Sequence, residues 1–148
     1  MLTLAAPKKK LLQKKPTGAL TIEIVKGKEL TEVGLLSCDP FVELVVEGDG
    51  KRTESAKNTV NPIWRQQFIF FIKNPAKVII KLFVWHDGLL ARTFMGKAEC
   101  QLLPLLSLIH GATYKLSLKL EPRKQDGDKH YSGNIIIRLN YFGNIYST

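Results

Sequence analysis

The chain has 148 residues and carries 22 lysines and arginines against 13 aspartates and glutamates, a formal net charge of +9. This length suits one domain that buries its own core, and 45% hydrophobic with 24% charged residues is typical of a folded globular chain. No apolar run approaches the roughly 20 residues of a membrane-spanning helix, so an integral membrane protein is not expected. The charge predicts an anionic partner, either membrane lipid or nucleic acid.

The positive charge is concentrated in the amino-terminal segment. Its five lysines are Lys8, Lys9, Lys10, Lys14 and Lys15. We expect residues 1–17 to form a flexible basic arm, since a secretory signal would place its basic residues before a longer apolar stretch. Two interpretations of this arm stay open. It is a disordered leader, or it is a polybasic segment that lies on an anionic leaflet, where each lysine contributes about 1 kcal/mol.

Short runs of alternating apolar and polar residues follow, separated by turn residues. They cover residues 19–25, 40–47, 51–56, 66–72, 78–85, 94–102, 113–120 and 133–140. Gly48-Asp49-Gly50 is the strongest hairpin signal, and residues 103–110 favour a helical turn. The spacing predicts an all-β domain over residues 18–148, built as an eight-stranded antiparallel β-sandwich. The largest side chains predicted for its core are Trp64, Phe68, Phe70, Trp85 and Phe94.

The residue patterns of enzyme and metal sites are missing from the sequence. The three histidines lack the spacing of metal ligands relative to one another or to Cys38 and Cys100. No phosphate loop, nucleophile elbow or zinc-protease motif occurs. We therefore expect the protein not to be an enzyme and to use no cofactor. Two cysteines are too few for a disulfide framework, which favours a reducing, cytoplasmic environment.

Three motifs resemble the sequence signatures of C2 domains. Cys38-Asp39-Pro40-Phe41-Val42 is similar to the S-D-P-Y-V signature. Residues 57–64, Lys-Asn-Thr-Val-Asn-Pro-Ile-Trp, followed by Gln67-Phe68, resemble the K-x-T-x-x-N-P-x-W-N-E-x-F stretch. Val84-Trp85, followed after a loop by Phe94-Met95-Gly96, resembles the V-W-D-x-D and D-F-x-G frame. Their order and spacing imply a C2 domain.

The resemblance also implies a topology and a narrower relationship. The last predicted strand, which begins at Gly133, resembles the strand that opens the other topological variant, so its place at the end implies type II. Residues 47–54 and the Val84-Trp85-His86 step look most similar to the amino-terminal C2 domains of HECT-type ubiquitin ligases. Because no WW or catalytic segment of such a ligase follows, ligase activity is not implied.

The calcium site of the family uses about five loop aspartates, because Ca²⁺ takes six to eight oxygen ligands. Asp39 is retained at its position, and Asp87 is displaced by one residue. The remaining positions hold Val33, His86, Gly88 and Thr93. We therefore predict no functional metal site, with Asp39 and Asp87 as vestigial ligands. Asp39 is then expected to cap the turn before Pro40.

The same loops carry paired leucines, which suit a different kind of contact. The predicted loop-tip lipid contacts are Leu35, Leu36, Leu89 and Leu90, with Arg92 near phosphate. The alternative is that these leucines fold back and cap the core. The basic residues predicted to bind lipid on a strand face are Lys51, Arg52, Lys57 and Lys81. A solvated charged surface explains that basic set equally well.

Together these features predict a calcium-independent module that targets a cytosolic protein to anionic phospholipid membranes. We expect a monomer that is cytoplasmic and peripheral to the membrane. The alternative hypothesis is a protein–protein interaction or autoinhibitory module of a larger signalling or ubiquitin-ligase protein, with the leucines as an interface patch. Nucleic acid is not the expected partner, because buried strand aromatics do not form a stacking platform.

Overall fold

The computed structural model describes residues 16–143. Its strands are β1 (Gly18–Lys28), β2 (Pro40–Val46), β3 (Asp49–Arg52), β4 (Ile63–Ile72), β5 (Ile79–Asp87), β6 (Arg92–Gln101), β7 (Tyr114–Lys119) and β8 (Asn134–Gly143). Short helical turns occupy Pro75–Lys77, Leu103–Leu105, Leu106–Ile109 and Lys124–Asp126. The predicted all-β, eight-stranded sandwich is confirmed. Within the described residues no helix has the length and apolar character needed to cross a membrane.

Two four-stranded antiparallel sheets face each other across the core. Sheet A has the strand order β4-β1-β8-β7, and sheet B has the order β3-β2-β5-β6. Every second residue of the central strands points inward, as the period-2 patterning predicts. Leu20, Ile22 and Ile24 of β1 are fully buried, and so are Val42 and Leu44 of β2. Burial of these alternating side chains in one continuous core holds the two sheets together.

The predicted core aromatics divide between the core and the outer face of sheet B. Trp64 and Phe70 lie in the core, and Phe68 packs partly buried against it. Trp85, however, follows the fully buried Val84 and therefore points to the outer face of sheet B. Phe94 pairs with Trp85 across β5 and β6, so it lies on the same outer face. Placing Trp85 in the core was wrong, because the strand alternation assigns it to the other phase. Phe94 is 6% exposed, so its predicted burial is confirmed, but its ring is covered on the outer face, 5.1 Å from the ring of Tyr131.

The hairpin that joins β2 to β3 turns earlier in the chain, and within fewer residues, than Gly48-Asp49-Gly50 suggested. Val46 pairs with Asp49, which leaves a two-residue loop of Glu47 and Gly48 with φ values of 49° and 79°. Two positive φ values are characteristic of a type I′ turn. β3 ends at Arg52, so the predicted strand over residues 51–56 is too long. The chain leaves the sheet at Thr53, whose side chain is 1% exposed and accepts a hydrogen bond from the Val42 amide at 2.9 Å.

The two ends of the sandwich carry different loops and turns. Loop 1 (residues 29–39), loop 2 (53–62) and loop 3 (88–91) lie together at what we call the loop end. The distal end carries the start of β1, the end of β8, the Glu47-Gly48 turn and the segment over residues 102–113. β1 has 11 residues, and at roughly 3.3 Å per residue it separates the two ends by about 33 Å.

Candidate functional site

Loops 1 and 3 bring the paired leucines to one end of the molecule. The exposed fractions are 102% for Leu35, 97% for Leu36, 103% for Leu89 and 102% for Leu90. The alternative in which these side chains fold back onto the core is therefore wrong. Four fully exposed leucines on two adjacent loops are costly in water, which is characteristic of a contact surface.

A cleft of about 540 Å³ lies between the two leucine-bearing loops. Its apolar walls are Leu35, Leu36 and Leu89. Its polar lining consists of Ser37, Asp39, Lys57, His86 and Asp87, with Gly88. The cleft thus combines an apolar rim with a polar floor that carries charges of both signs, an arrangement suited to an amphipathic surface.

His86 supports loop 1 from below. Its side chain is 8% exposed, and its Nδ1 accepts a hydrogen bond from the Asp39 amide at 3.0 Å. Loop 1 passes directly over the ring at Gly34, which has a φ of 93°. A Cβ at this glycine would lie 2.9 Å from His86 Nε2 and 2.3 Å from the Ser37 carbonyl oxygen, so only glycine fits. The imidazole therefore fixes the path of the loop that presents Leu35.

The carboxylates of Asp39 and Asp87 accept hydrogen bonds from other protein groups. Asp39 Oδ1 accepts a hydrogen bond from the Asn58 amide at 2.7 Å, and Lys57 Nζ lies 4.0 Å from Asp39 Oδ2. Asp87 Oδ2 accepts a hydrogen bond from the Ser55 hydroxyl at 2.7 Å. Asp39 thus holds loop 2, and the expected cap on the turn before Pro40 was wrong. Among residues 16–143 no group of three or more His, Cys, Asp or Glu is placed to hold a metal ion.

The Asp39–Asn58 contact predicts a local stability effect. Replacing Asp39 by alanine should lower the free energy of unfolding by about 1.5–3 kcal/mol, because a charge-assisted hydrogen bond to a backbone amide is lost. Chemical denaturation measures this change.

Asp39→Asn is the matched control for that variant. The asparagine keeps an oxygen acceptor for the Asn58 amide and loses only the pair with Lys57, whose side chain is 78% exposed. Its loss should stay below about 1 kcal/mol. Equal stability of Asp39→Ala and the unmodified protein would contradict the proposed role of this carboxylate.

The four predicted basic residues do not share one surface. Arg52 pairs with Glu43, and Lys81 with Val45, on the outer face of sheet B. Lys57 lies in loop 2 at the loop end. Lys51 pairs with the fully buried Leu44, so it points inward at the sheet edge, and its Nζ lies 5.5 Å from the Phe70 ring centroid.

Arg92 also lies away from the leucine tips. It is the first residue of β6, directly after loop 3. Its guanidinium carbon lies 3.8 Å from the Trp85 ring centroid, and its Nη1 lies 3.7 Å from Glu43 Oε2. The side chain is half-exposed on the outer face of sheet B, so any phosphate it contacts must approach from that face.

A row of arginine-covered aromatic rings on the outer face of sheet B was not expected from the sequence. The ring-to-guanidinium distances are 3.6 Å for Phe41 and Arg52, 3.8 Å for Trp85 and Arg92, and 3.8 Å for Phe94 and Arg123. Stacked cation–π contacts of this kind stabilise the rings and fix the arginines. The signal in the sequence was the strand alternation, since Phe41 and Trp85 each lie next to a fully buried valine and therefore face outward.

Neither cysteine has the environment of a nucleophile. Burial raises the pKa of Cys38 above its ordinary value. Burial also raises the pKa of the Cys100 thiol to about 11. Both groups are therefore protonated near neutral pH and unreactive, as structural cysteines are. The five lysines of the arm, Lys8 to Lys15, lie outside the described residues.

A family model places these features in context. The model described as "C2 domain" matches residues 18–137. The chain belongs to the C2 domain family. Curated relatives include Protein C2-DOMAIN ABA-RELATED 11 of Arabidopsis thaliana, 31% identical over 93 residues that cover 63% of this chain and 56% of that protein. Synaptotagmin-2 of the same plant is 27% identical over 139 residues, covering 86% of this chain and 25% of that protein.

Solved C2 domains share the fold. A C2 domain of a plant extended synaptotagmin 1 superposes with a TM-score of 0.77 at 21% identity, covering 88% of this chain and 98% of that domain. Human GIVD cytosolic phospholipase A2 contains a similar unit, with a TM-score of 0.69 at 16% identity, and this chain covers 18% of it. The chain spans only about half, or a quarter, of the two curated relatives named above.

Proposed function

We propose that this C2 domain attaches a cytoplasmic protein to anionic phospholipid membranes as a peripheral module, without calcium and without chemistry of its own. The observation that carries the proposal is the set of four fully exposed leucines on loops 1 and 3. The family relationship to synaptotagmin-like C2 domains supports a phospholipid surface as the partner. We further expect the domain to act as a monomer.

The leucines supply the binding free energy in this proposal. Transfer of a fully exposed leucine side chain into an apolar environment contributes about 1.5–3 kcal/mol. Leu35, Leu36, Leu89 and Leu90 project from adjacent loops, so they enter the boundary between headgroups and acyl chains together. Lys57 lines the cleft between them, which supports the proposal that it contacts a lipid phosphate.

Calcium independence is inferred from the carboxylates. A C2 calcium site needs several clustered acidic oxygens, and here Asp39 and Asp87 already accept hydrogen bonds from Asn58 and Ser55. His86 fills a position that the family resemblance assigns to an aspartate. In this proposal the leucine contacts attach the domain to the membrane, as a bridging calcium ion does in other members of the family.

Two narrower assignments accompany the proposal. We infer the type II topology, supported by the position of β8 between β1 and β7 in sheet A. The closer similarity to HECT-type ubiquitin ligases stays a prediction. The competing function, a protein-interaction or autoinhibitory module, uses the same leucines against a protein surface.

Liposome sedimentation tests the proposal directly. The protein should sediment with vesicles of phosphatidylcholine and phosphatidylserine in the presence of a calcium chelator, and far less with phosphatidylcholine alone. Added calcium should change the bound fraction by less than about twofold, because no calcium ion bridges the protein and the lipid. Raising the salt concentration should weaken binding through screening of the basic residues. Binding that requires calcium would overturn the proposed mechanism.

A further inference from the structure

One edge of sheet A is formed by β7, whose outer side is uncovered within the described residues. Among the described strands β7 pairs with β8 alone, because it is the last strand in the order β4-β1-β8-β7. Residues 16–143 contribute one backbone pairing on the outer side, the isolated bridge between Glu121, just beyond β7, and Lys97 of β6. A free edge strand presents unpaired amide and carbonyl groups to which another extended chain can pair.

The hydrogen bonds next to β7 show which of its backbone groups face outward. The Leu120 amide donates to the Gly133 carbonyl oxygen at 3.0 Å, which continues the ladder between β7 and β8. Glu121 turns the opposite way, since its amide donates to the Lys97 carbonyl oxygen at 2.8 Å and its carbonyl accepts from the Lys97 amide at 2.9 Å. Successive residues of an antiparallel strand point their backbone groups to alternate sides, so the odd-numbered residues of β7 face outward, as Glu121 does. These residues are Lys115, Ser117 and Lys119.

The side chains of β7 alternate between basic or polar and apolar. Lys115, Ser117 and Lys119 are exposed on the outer face of sheet A, and neither lysine has an ion-pair partner in the described part of the chain. Leu116 and Leu118 point inward and pack, half-buried, against the core. A strand that pairs with this edge therefore meets positive charge on one face and apolar surface on the other.

This charge pattern favours an acidic partner over a second copy of the chain. Two β7 strands that pair antiparallel about Ser117 would place Lys115 of each copy opposite Lys119 of the other, and like charges directly opposite are destabilising. Edge lysines are a common defence against such self-pairing. A lipid surface meets the two lysines but leaves the row of backbone groups unpaired. An extended acidic segment satisfies both the charges and the backbone.

We propose that β7 is a docking edge for an extended acidic segment of a partner protein, which adds a fifth strand to sheet A. The segment carries acidic residues opposite Lys115 and Lys119 and apolar residues opposite Leu116 and Leu118. Backbone hydrogen bonds supply the affinity of such strand addition, and the alternating side chains supply the specificity. β7 lies along the side of the sandwich, so the segment leaves the leucines of the loop end uncovered. The inference goes beyond the proposed function and does not depend on membrane binding.

A blocked synthetic peptide of sequence Glu-Val-Thr-Val-Glu tests the proposal in the absence of vesicles. Its symmetric pattern matches β7 in either strand direction. On binding, hydrogen exchange measured by NMR should slow at the amides of Lys115, Ser117 and Lys119, because these become hydrogen-bonded. The amides of Leu116 and Leu118 already face β8 and should change little. Binding without this alternation, or no binding, would overturn the proposal.

Charge reversal tests the acidic character of the segment. Lys115→Glu combined with Lys119→Glu should bind the acidic peptide at least about tenfold more weakly, since two attractive cross-strand pairs become repulsive. The same variant should gain affinity for the peptide Lys-Val-Thr-Val-Lys. Lys124→Glu combined with Lys129→Glu is the matched control, because both lysines are exposed and lie outside β7, and it should bind the acidic peptide within about twofold of the unmodified protein. Equal affinity of the unmodified protein for the two peptides contradicts an acidic partner.

Ser117→Pro tests the backbone pairing itself. Proline removes one outward-facing amide but none that faces β8, and an edge strand tolerates proline at such a position. Peptide binding should fall at least about fivefold. Ser117→Ala keeps the amide and loses the hydroxyl that accepts a hydrogen bond from Asn134 Nδ2 at 3.1 Å, so it should bind the peptide normally. A folded Ser117→Pro protein that binds normally would overturn the docking edge, whereas sedimentation of both variants with vesicles should be unchanged and tests the proposed function separately.

Discussion

Leu35→Asp combined with Leu89→Asp is expected to lower the affinity for phosphatidylserine vesicles by at least about 100-fold. The two leucines are worth about 3–6 kcal/mol together when they are buried in the interface, and tenfold in affinity corresponds to about 1.4 kcal/mol. The new carboxylates also face an anionic surface, which adds repulsion. Sedimentation over a range of lipid concentrations measures the loss.

The folded state should tolerate this double variant. Both leucines are fully exposed, so their replacement removes no core contact, and the melting temperature should stay within about 2 °C of the unmodified protein. Thr113→Asp combined with Ser117→Asp adds the same charge at exposed residues near β7, away from the leucines, and serves as the control. If the leucine variant binds vesicles normally, the leucines do not insert, and the hypothesis of a protein-interaction surface gains support.

The largest stability effect is expected at Trp64. Trp64→Ala should cost about 3–5 kcal/mol, because the ring is 9% exposed in the core and an aromatic-to-alanine change leaves a cavity. At about 4 °C per kcal/mol for a domain of this size, the melting temperature should fall by about 12–20 °C. Calorimetry or thermal circular dichroism measures the shift.

Trp64→Phe separates the hydrogen bond from the packing. The indole Nε1 donates to the Pro40 carbonyl oxygen at 3.1 Å, which ties β4 to the start of β2 beside Asp39. Phenylalanine keeps most of the ring but leaves that buried carbonyl without its donor, a loss of about 1–3 kcal/mol. Equal melting temperatures for Trp64→Ala and Trp64→Phe would contradict a packing role for the ring.

Strand positions were predictable because burial alternates with a period of two along each run. In β1, Leu20, Ile22 and Ile24 are fully buried, whereas Thr21 and Glu23 between them are partly exposed. The same alternation recurs in β5 and β8, so the all-β sandwich follows from local sequence. The same alternation places Trp85, which follows the buried Val84, on the outer face, so its large ring was a misleading indicator of a core position.

The positions of the basic side chains were harder to predict, because a shift of one residue in the strand register moves a side chain to the other face of the sheet. The glycine-rich signal placed the hairpin turn around Asp49, whereas the turn lies at Glu47 and Gly48. With this register, Lys51 lies opposite the buried Leu44 and points inward, and Arg52 points outward. The turn type, not the lysine pattern, decides which of the two adjacent basic residues faces outward.

The candidate site depends on contacts between loops that are distant in sequence. His86 supports loop 1 through the Asp39 amide, and Asp39 in turn holds Asn58 in loop 2. The family resemblance identified these positions but not their partners, and the turn preference of aspartate gave Asp39 the wrong local role. The exposure of the leucines likewise follows from the path of the loop over His86, which no local pattern encodes.

The start of β1 and the end of β8 lie next to each other, so the domain is suited to rearrangement of its chain ends and to insertion into another protein. Gly18 pairs with Gly143, and a Cβ on Gly143 would lie 2.3 Å from the Thr17 carbonyl oxygen. Entry and exit of the described chain therefore lie side by side, and a linker of a few residues closes them. Such geometry permits circular permutation, with new ends opened at the exposed Gly127, and insertion into a surface loop of a host protein without stretching it.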